Sequence, residues 1–247
     1  MEVSVIIPTL NEEANIAHVL ARVPREIWRR GEVIVVDSST DRTPDIARRF
    51  GARVIKVPRR GKGFALKVGA ELATKDIIVF MDGDGQDPPE YIPLMIRALN
   101  FFDVVLCARH PAHPLGNFVH RIISYVSMNF VRLVFKNVGF HVRGDPLPGF
   151  RAMRKETWRR IIPKSNNFLF ETEMNINIAR LGLKVLEIPI PIIPRGDSAT
   201  RSKFLRSFDQ QIKLIAMPLR YRKFNLRAHC YFLLKALRCY IPCMRRN

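Results

Sequence analysis

Carboxylates and glycines follow an apolar run in the segment DIIVFMDGDGQ at residues 76–86. Asp82 and Asp84 stand two residues apart where the apolar run ends, and Gln86 adds another side-chain oxygen. Hard oxygen ligands this close suit Mg²⁺ or Mn²⁺ whose coordination is completed by substrate phosphates and water. The intervening glycines let the backbone turn sharply and approach a ligand. The pattern favours a divalent-metal site for a phosphate-bearing substrate over a simple acidic turn.

Other polar residues stand after further apolar runs. Asp37 ends the run VIVVD and Glu12 follows the first run of the chain. Acceptors at such positions can hold a base edge or ribose hydroxyls, although Glu12 equally suits the start of a helix, where a negative charge is favourable. Lys62, between two glycines, could offer a cation and backbone amides to a phosphate. Its segment matches neither GxGxxG nor the P-loop.

The elements that must position these residues alternate along the first 110 residues. Short runs rich in Val and Ile, apolar at nearly every position, are typical of strands covered on both faces. Predicted strands are Val3–Pro8, Val33–Asp37, Ala52–Val57, Asp76–Asp82 and Asp103–Arg109. Predicted helices run from Glu12 to about Ala21 with Asn11 as cap, from near Pro44 with Thr43 as cap, from about Phe64 to Ala73, and from Pro89 to Leu99. The alternation predicts an α/β fold with one mostly parallel, Rossmann-like sheet flanked by helices, whose ligands bind at the carboxyl ends of the strands.

The pattern changes after residue 110. It predicts a helix at Asn117–Phe135, a loop at 145–151, a helix at about Glu171–Leu181 and a strand at Lys184–Ile190. A basic loop, 194–203, precedes a tail whose apolar residues recur at helical spacing. Nowhere does the tail reach the roughly 18 apolar residues of a membrane span. It is compatible with an amphipathic helix on a membrane surface and with a helix packed on the domain.

The net charge of +19 implies a polyanionic partner such as nucleic acid, anionic lipid or a phosphorylated substrate. The residues from 201 onward carry twelve basic side chains against one acid, Asp209, and so hold +11 of that charge. No helix-turn-helix, zinc-finger or RNP pattern is present, and the acidic cluster at 82–87 would repel a polyanion without an intervening metal. The sequence therefore favours phosphorylated substrates and a membrane surface, with no nucleic acid as partner.

Four motifs in this order resemble family 2 inverting glycosyltransferases with the GT-A fold. They are PTLNEEANI (8–16), VIVVDSSTDRT (33–43), GKGFALKVGAELATKDIIVFMDGDGQDPPE (61–90) and PGFR (148–151). The branch that they resemble most is dolichol- or polyprenyl-phosphate mannosyltransferase and its glucosyl relatives. The resemblance covers about residues 3–203.

The resemblance implies roles for individual residues. Pro8, Glu12 and Asp37 match positions that line the nucleotide, which Lys62 would also contact, and Asp82, Asp84 and Gln86 match the metal and diphosphate motif. Arg109, Arg121, Arg195 and Lys203, with Arg201 as an alternative to the last, match basic positions that hold the donor and acceptor phosphates. The candidate catalytic residues are Asp84, Arg109, Arg121, Arg195 and Lys203. Phe150–Arg151 and Phe170–Glu173 match motifs on the acceptor side.

The activity implied is metal-dependent transfer of mannose or glucose, from GDP-mannose or UDP-glucose, to a polyprenyl or dolichyl phosphate. A phosphate acceptor is already largely dianionic at neutral pH and needs positioning cations more than a base. A soluble sugar or glycan acceptor would instead need a carboxylate base, for which Glu171 and Asp145 are candidates. The chain differs from the usual motifs of this family at three positions that bear on the preference for base and sugar. Ser38 stands where the family usually has Asp, Pro148 where it usually has Ser, and Leu10 where it commonly has Tyr or Phe.

The resemblance and the charge distribution together divide the chain. Residues 1–203 would form the GT-A catalytic domain and residues 204–247 a basic amphipathic helical tail. Met1 leads directly into a strand-like run without the features of a signal peptide, and basic side chains are attracted to anionic headgroups. We therefore expect a cytoplasmic protein, peripheral on the cytoplasmic face of a membrane.

Overall fold

The computed structural model describes residues 2–109, 132, 135, 136, 140–167, 169–191 and 193. The strands are β1 (Val3–Thr9), β2 (Glu32–Asp37), β3 (Arg53–Lys56), β4 (Ile77–Phe80), β5 (Val104–Arg109), β6 (Arg151–Arg154) and β7 (Val185–Ile190). The helices are α1 (Ile16–Arg22), α2 (Arg25–Arg30), α3 (Thr43–Arg49), α4 (Lys62–Leu72), α5 (Ile92–Ala98), α6 (Lys155–Ile161) and α7 (Leu169–Arg180). In this part of the chain, no helix has the length and apolar character needed to cross a bilayer.

The seven strands form one sheet in the order β3-β2-β1-β4-β6-β5-β7. All neighbouring strands are parallel except β6, which is antiparallel to both β4 and β5. The mostly parallel α/β sheet expected from the sequence is therefore confirmed. Because β6 runs the opposite way, its first residue, Arg151, pairs with Phe80 at the end of β4 and with Leu106 in β5.

Each face of the sheet has its own apolar core. In β1, Val5 and Ile7 lie in the core beneath α1, α2, α3 and α5, whereas Ile6 lies in the core shared with α4, α6 and α7. Successive residues of a strand point to opposite faces. Both kinds of position are therefore apolar, which is why the strand sequences read as continuous apolar runs.

The structure changes several predicted boundaries. The first helix begins at Ile16, and Asn11 does not cap it: Asn11 has a φ of 55° and its Oδ1 accepts a hydrogen bond from Thr40 N. Thr43 is likewise the first residue of α3 and not its cap. The predicted fourth helix is divided into a 3-10 turn at Pro89–Tyr91 and α5. Most of the predicted helix 117–135, and all of the tail, lie outside the described residues.

Helix α4 lies close to the sheet because Gly69 faces β1 and β2. A methyl group at Gly69 would overlap Ile6 Cγ2 and stand 3.0 Å from Val36 Cγ2. Ala65, Leu66 and Ala70 of the same helix are buried in the core on that face. The small residue therefore sets the distance between the sheet and the helix whose first residue is Lys62.

We predict that Gly69→Ala lowers the free energy of unfolding by about 1–3 kcal/mol, because β1 and α4 must separate to admit the methyl group. Urea unfolding followed by circular dichroism measures the change. Glu71→Ala, at an exposed position of the same helix, is the control and should shift the free energy by less than about 0.5 kcal/mol. Equal stability of Gly69→Ala and the native chain would contradict this close packing.

Candidate active site

A single ammonium group joins two carboxylates at the carboxyl ends of the strands. Lys62 Nζ lies 2.6 Å from Asp82 Oδ1 and 3.0 Å from Glu171 Oε1. Lys62 begins α4, Asp82 lies just beyond β4, and Glu171 lies in the first turn of α7. Burial acts to lower the pKa of Lys62, but the two carboxylates outweigh it and raise that pKa. The two carboxylates thus favour the charged form of Lys62 at the centre of the site.

Asp87 supports the loop that carries Asp82. Its Oδ2 accepts a hydrogen bond of 2.9 Å from Asp82 N, and its Oδ1 lies 3.5 Å from Arg109 Nη2. Burial raises the pKa of Asp87, and the neighbouring carboxylate of Asp82 adds to the effect. Burial acts to lower the pKa of Arg109, yet Asp87 and other nearby carboxylates raise it. Asp87 thus links Arg109, at the end of β5, to the metal motif.

The sequence pattern assigns no role to Asp87, which lies in the segment QDPPE at the end of the third motif. The available signal was a third acid five residues after Asp82. Spacing alone does not separate a buried support from a solvated loop residue. Its side chain is 3% exposed, which identifies it as a support.

The turn between Asp82 and Asp87 folds back on itself. Gly85 has a φ of 82°, and Asp84 Oδ1 accepts a hydrogen bond of 3.1 Å from Gln86 N. Gln86 Nε2 donates to Ile193 O at 3.3 Å. The side chains of Asp82, Asp84 and Gln86 are all partly accessible, so the predicted metal ligands share one open turn.

The residues of this turn fit a divalent cation. Among the described residues, no group of three or more His, Cys, Asp and Glu side chains is arranged as a complete metal site. A cation completed by diphosphate oxygens and water needs only one or two protein carboxylates. Asp82, whose carboxylate already lies beside the Lys62 ammonium, and Asp84 would hold it, with Gln86 as a further oxygen ligand.

The ends of β1 and β2 form a second part of the site. Asp37 is fully buried and accepts hydrogen bonds from Thr9 Oγ1, Ser39 N, Ser39 Oγ and Lys56 Nζ. Pro8 is half-buried and pairs with Val36, the residue that precedes Asp37. The structure thus places Pro8 and Asp37 together at the carboxyl edge, as expected for neighbouring parallel strands.

Glu12 is buried in the loops that extend from these two strands. Its backbone N donates to Thr43 Oγ1 at 2.9 Å, and its Oε2 accepts from Asn15 Nδ2 at 2.8 Å. Asn11 N also donates to Ser39 Oγ across the same gap. These bonds hold the loops after β1 and β2 as one unit beside the strand ends.

The loop 144–150, which leads into β6, brings the chain close to Lys62. A Cβ at Gly149 would lie 2.9 Å from Lys62 Nζ and 3.0 Å from Asp82 Oδ2. Arg151, 1% exposed, donates from Nε and Nη2 to Pro148 O and from Nη1 to Asn175 Oδ1. Burial lowers the pKa of Arg151 to about 10. Arg151 therefore fixes the loop that approaches Lys62, and its guanidinium does not open toward the site.

The two alternative bases differ in their surroundings. Glu171 is buried and paired with Lys62, whereas Asp145 Oδ1 accepts from Leu147 N within the loop. Of the predicted phosphate-binding cations, Arg109 is described and lies beside Asp87. Arg121, Arg195, Lys203 and the alternative Arg201 lie outside the described residues.

Comparisons with known proteins agree with this architecture. The sequence model of Glycosyl transferase family 2 matches residues 4–162. The dolichyl-phosphate hexose transferase of Haloferax volcanii is 33% identical over 204 residues, which are 82% of this chain and 88% of that protein. The dolichol-phosphate mannosyltransferase of Pyrococcus furiosus is 32% identical over 225 residues, 86% of this chain and 63% of that protein.

A solved structure extends the likeness to the fold. The glucosyl-3-phosphoglycerate synthase from Mycobacterium tuberculosis, in complex with Mn²⁺, UDP-glucose and glycerol 3-phosphate, superimposes with a TM-score of 0.69 and 25% sequence identity. The match covers 90% of this chain and 80% of that chain. The chain therefore has the GT-A architecture expected from the sequence.

We predict that Gly149→Ala lowers catalytic activity at least tenfold, because its methyl group displaces Lys62 or the Asp82 carboxylate, and small misplacements at a reacting centre are costly. Donor titration by calorimetry and steady-state kinetics measure the effect, with circular dichroism as the check on folding. Gly182→Ala, after the end of α7, is the control because a Cβ there meets nothing within 4 Å. Its φ of 60° can reduce stability, but activity should persist. Native kinetics in Gly149→Ala would refute the close approach.

Proposed function

The chain belongs to glycosyl transferase family 2, and we propose that it moves a hexose, mannose or glucose, from a nucleoside-diphosphate sugar to a polyprenyl phosphate. The main support for a polyprenyl phosphate as acceptor is the similarity to the Haloferax volcanii dolichyl-phosphate hexose transferase, which extends over most of both chains. The site supports the donor class, because Lys62, Asp82 and Asp84 form a centre suited to a metal-bound diphosphate. GDP-mannose and UDP-glucose are the donors to be tested first.

The acceptor phosphate attacks the anomeric carbon on the face opposite the nucleoside diphosphate. The bond from that carbon to the leaving oxygen breaks as the bond to the acceptor oxygen forms, so the configuration inverts. When bound, a divalent cation neutralises negative charge on the departing diphosphate. Lys62 holds Asp82 in place and offers its own positive charge beside the same group.

A dianionic phosphate acceptor needs no general base, because it has no proton to lose before it attacks. The structure suits this chemistry, since Glu171 is already paired with the Lys62 ammonium at 3.0 Å. Arg109, at the end of β5, is held by Asp87 beside the metal motif. In this proposal Arg121, Arg195 and Lys203 supply further positive charge to the two phosphates.

A soluble phosphorylated acceptor is the second candidate. It is favoured by the fold likeness to the glucosyl-3-phosphoglycerate synthase, whose crystals contain glycerol 3-phosphate. The two acceptors share a phosphate monoester and differ in the lipid chain. A partition assay separates them.

We predict that the chain transfers label from radiolabelled GDP-mannose or UDP-glucose to a polyprenyl phosphate in the presence of Mg²⁺ or Mn²⁺. Label should enter the organic phase on solvent extraction. Asp84→Asn should reduce transfer about 100-fold by weakening the metal site, whereas Asp45→Asn, at an exposed position of α3, should retain it. Label that stays in the aqueous phase with every donor, and moves onto glycerol 3-phosphate or 3-phosphoglycerate, would replace the lipid acceptor with the soluble one.

We further propose that residues 204–247 form a basic amphipathic tail that binds the cytoplasmic face of a membrane. Its positive charge supports this location, since each Lys or Arg near an anionic surface contributes about 1 kcal/mol. Deletion of residues 204–247 should abolish cosedimentation with phosphatidylglycerol vesicles. The full chain should bind these vesicles less as salt increases and should bind neutral phosphatidylcholine vesicles weakly. Undiminished binding after the deletion would exclude the tail as the membrane anchor.

A further inference from the structure

The last residues of three neighbouring strands lie in register at the carboxyl edge of the sheet. Thr9 of β1 pairs with Asp37 of β2, and Asp37 pairs with Lys56 of β3. Their side chains are joined, because Thr9 Oγ1 donates to Asp37 Oδ1 at 2.7 Å and Lys56 Nζ donates to Asp37 Oδ2 at 2.7 Å. This row begins beside the metal motif and ends at the outer strand.

Four hydrogen bonds engage the carboxylate in the middle of the row. A carboxylate offers about four lone-pair positions. Asp37 Oδ1 accepts from Thr9 Oγ1 and Ser39 Oγ, and its Oδ2 accepts from Ser39 N and Lys56 Nζ. Its side chain is also 0% exposed. Asp37 therefore acts on the site through Lys56 and Ser39.

Lys56 is the member of the row that a ligand can reach. Its side chain is 49% exposed. An ammonium carries three donors, of which the contacts to Asp37 Oδ2 and Ser39 O, at 2.7 and 2.8 Å, use two. The aligned partners hold the third N–H at the carboxyl edge, where ligands of such sheets bind.

The position of Lys56 suits the base end of a donor. Adjacent strands lie about 4.8 Å apart, and two strands, β2 and β1, separate β3 from β4, whose end leads into Asp82. A nucleotide whose diphosphate lies beside Asp82 and Lys62 would place its nucleoside over β1 and β2, toward Lys56. Lys56 can only donate a hydrogen bond at that end, and the neighbouring carboxylate of Asp37 is engaged by four donors.

We propose that Lys56 selects the donor base by donating a hydrogen bond to a keto oxygen, with Asp37 as the positioning residue that fixes its ammonium. Guanine and uracil carry a carbonyl oxygen at the position where adenine and cytosine carry an amino group. An ammonium can only donate, so it attracts the carbonyl and repels the amino group. The proposal rests on the proposed function only in taking a nucleoside diphosphate sugar as the donor.

Calorimetric titration of the full chain with GDP, UDP, ADP and CDP, each with Mn²⁺, tests this selection. The native chain should bind GDP or UDP more tightly than ADP and CDP. Lys56→Met should weaken the preferred nucleotide about tenfold, the range of a charged hydrogen bond, and should change ADP and CDP less than about twofold. Lys56→Arg, which can still donate, should keep most of the preference.

Arg53→Met is the matched control. Arg53 begins the strand that Lys56 ends, pairs with Glu32 at 3.7 Å on the neighbouring strand and has a side chain 48% exposed. It lies at the opposite edge of the sheet, so its loss should leave all four affinities unchanged. If Lys56→Met unfolds because Asp37 is left as an unpaired buried charge, Asp37→Asn/Lys56→Met removes that charge and should show the same loss of preference.

An equal loss of affinity for all four nucleotides would overturn the proposal, because it would assign Lys56 to the phosphates or to folding. Unchanged affinities in Lys56→Met, or a native chain without base preference, would overturn it as well. The readout is nucleotide binding and does not depend on the acceptor. Failure of transfer to polyprenyl phosphate would therefore reject the proposed acceptor and leave the selection by Lys56 standing.

Discussion

The contact of Lys62 with both Asp82 and Glu171 is the interaction on which the site depends. The two carboxylates come from the residues just after β4 and from the first turn of α7, and the cation between them links these two elements. Removing one member of a buried or half-buried charge cluster leaves the others unpaired, which is costly. Gly69 and Gly149 serve this contact from two sides. The first lets α4 approach the sheet, and the second lets the loop 144–150 pass the ammonium.

The antiparallel strand β6 makes that second approach possible. A parallel strand in its place would begin at the opposite edge of the sheet and would carry Gly149 away from Lys62. Arg151, at the start of β6, would be an unfavourable buried charge on its own. Its hydrogen bonds to Pro148 O and Asn175 Oδ1 satisfy it, and Asn175 Nδ2 in turn donates to Pro146 O. Loop, strand and α7 are thus fixed together around one guanidinium.

The sequence was sufficient for features that depend on neighbours along the chain. Runs such as VIVVD and DIIVF have the apolar character of buried strands, so the parallel strands and the carboxyl-edge position of Asp37 and Asp82 could be predicted. Strand β6 could not, because its sequence RAMR is short and has Arg at both ends, and it forms only through pairing with β4 and β5. The Lys62–Glu171 pair is equally inaccessible to pattern reasoning, since tertiary packing alone brings the two residues together. The same applies to Lys56, whose bonds to Asp37 and Ser39 depend on strand register.

The distribution of these charges explains how an acidic site can receive an anionic donor. The described carboxylates around the metal motif are Asp82, Asp84, Asp87 and Glu171, and Lys62 and Arg109 are cations paired with members of this group. Asp145 and the buried Arg151 add one charge of each sign. The described part of this cluster is therefore negative, and a bound divalent cation would reduce that negative charge. Asp37, in the middle of the row formed by Thr9, Asp37 and Lys56, is already paired with the Lys56 ammonium. In the proposed function, a nucleoside diphosphate would place its phosphates beside this cation and its base toward the half-exposed ammonium of Lys56. Affinity for the diphosphate and discrimination between bases can then reside in different lysines, which is why substitutions at Lys62 and Lys56 should have separable effects.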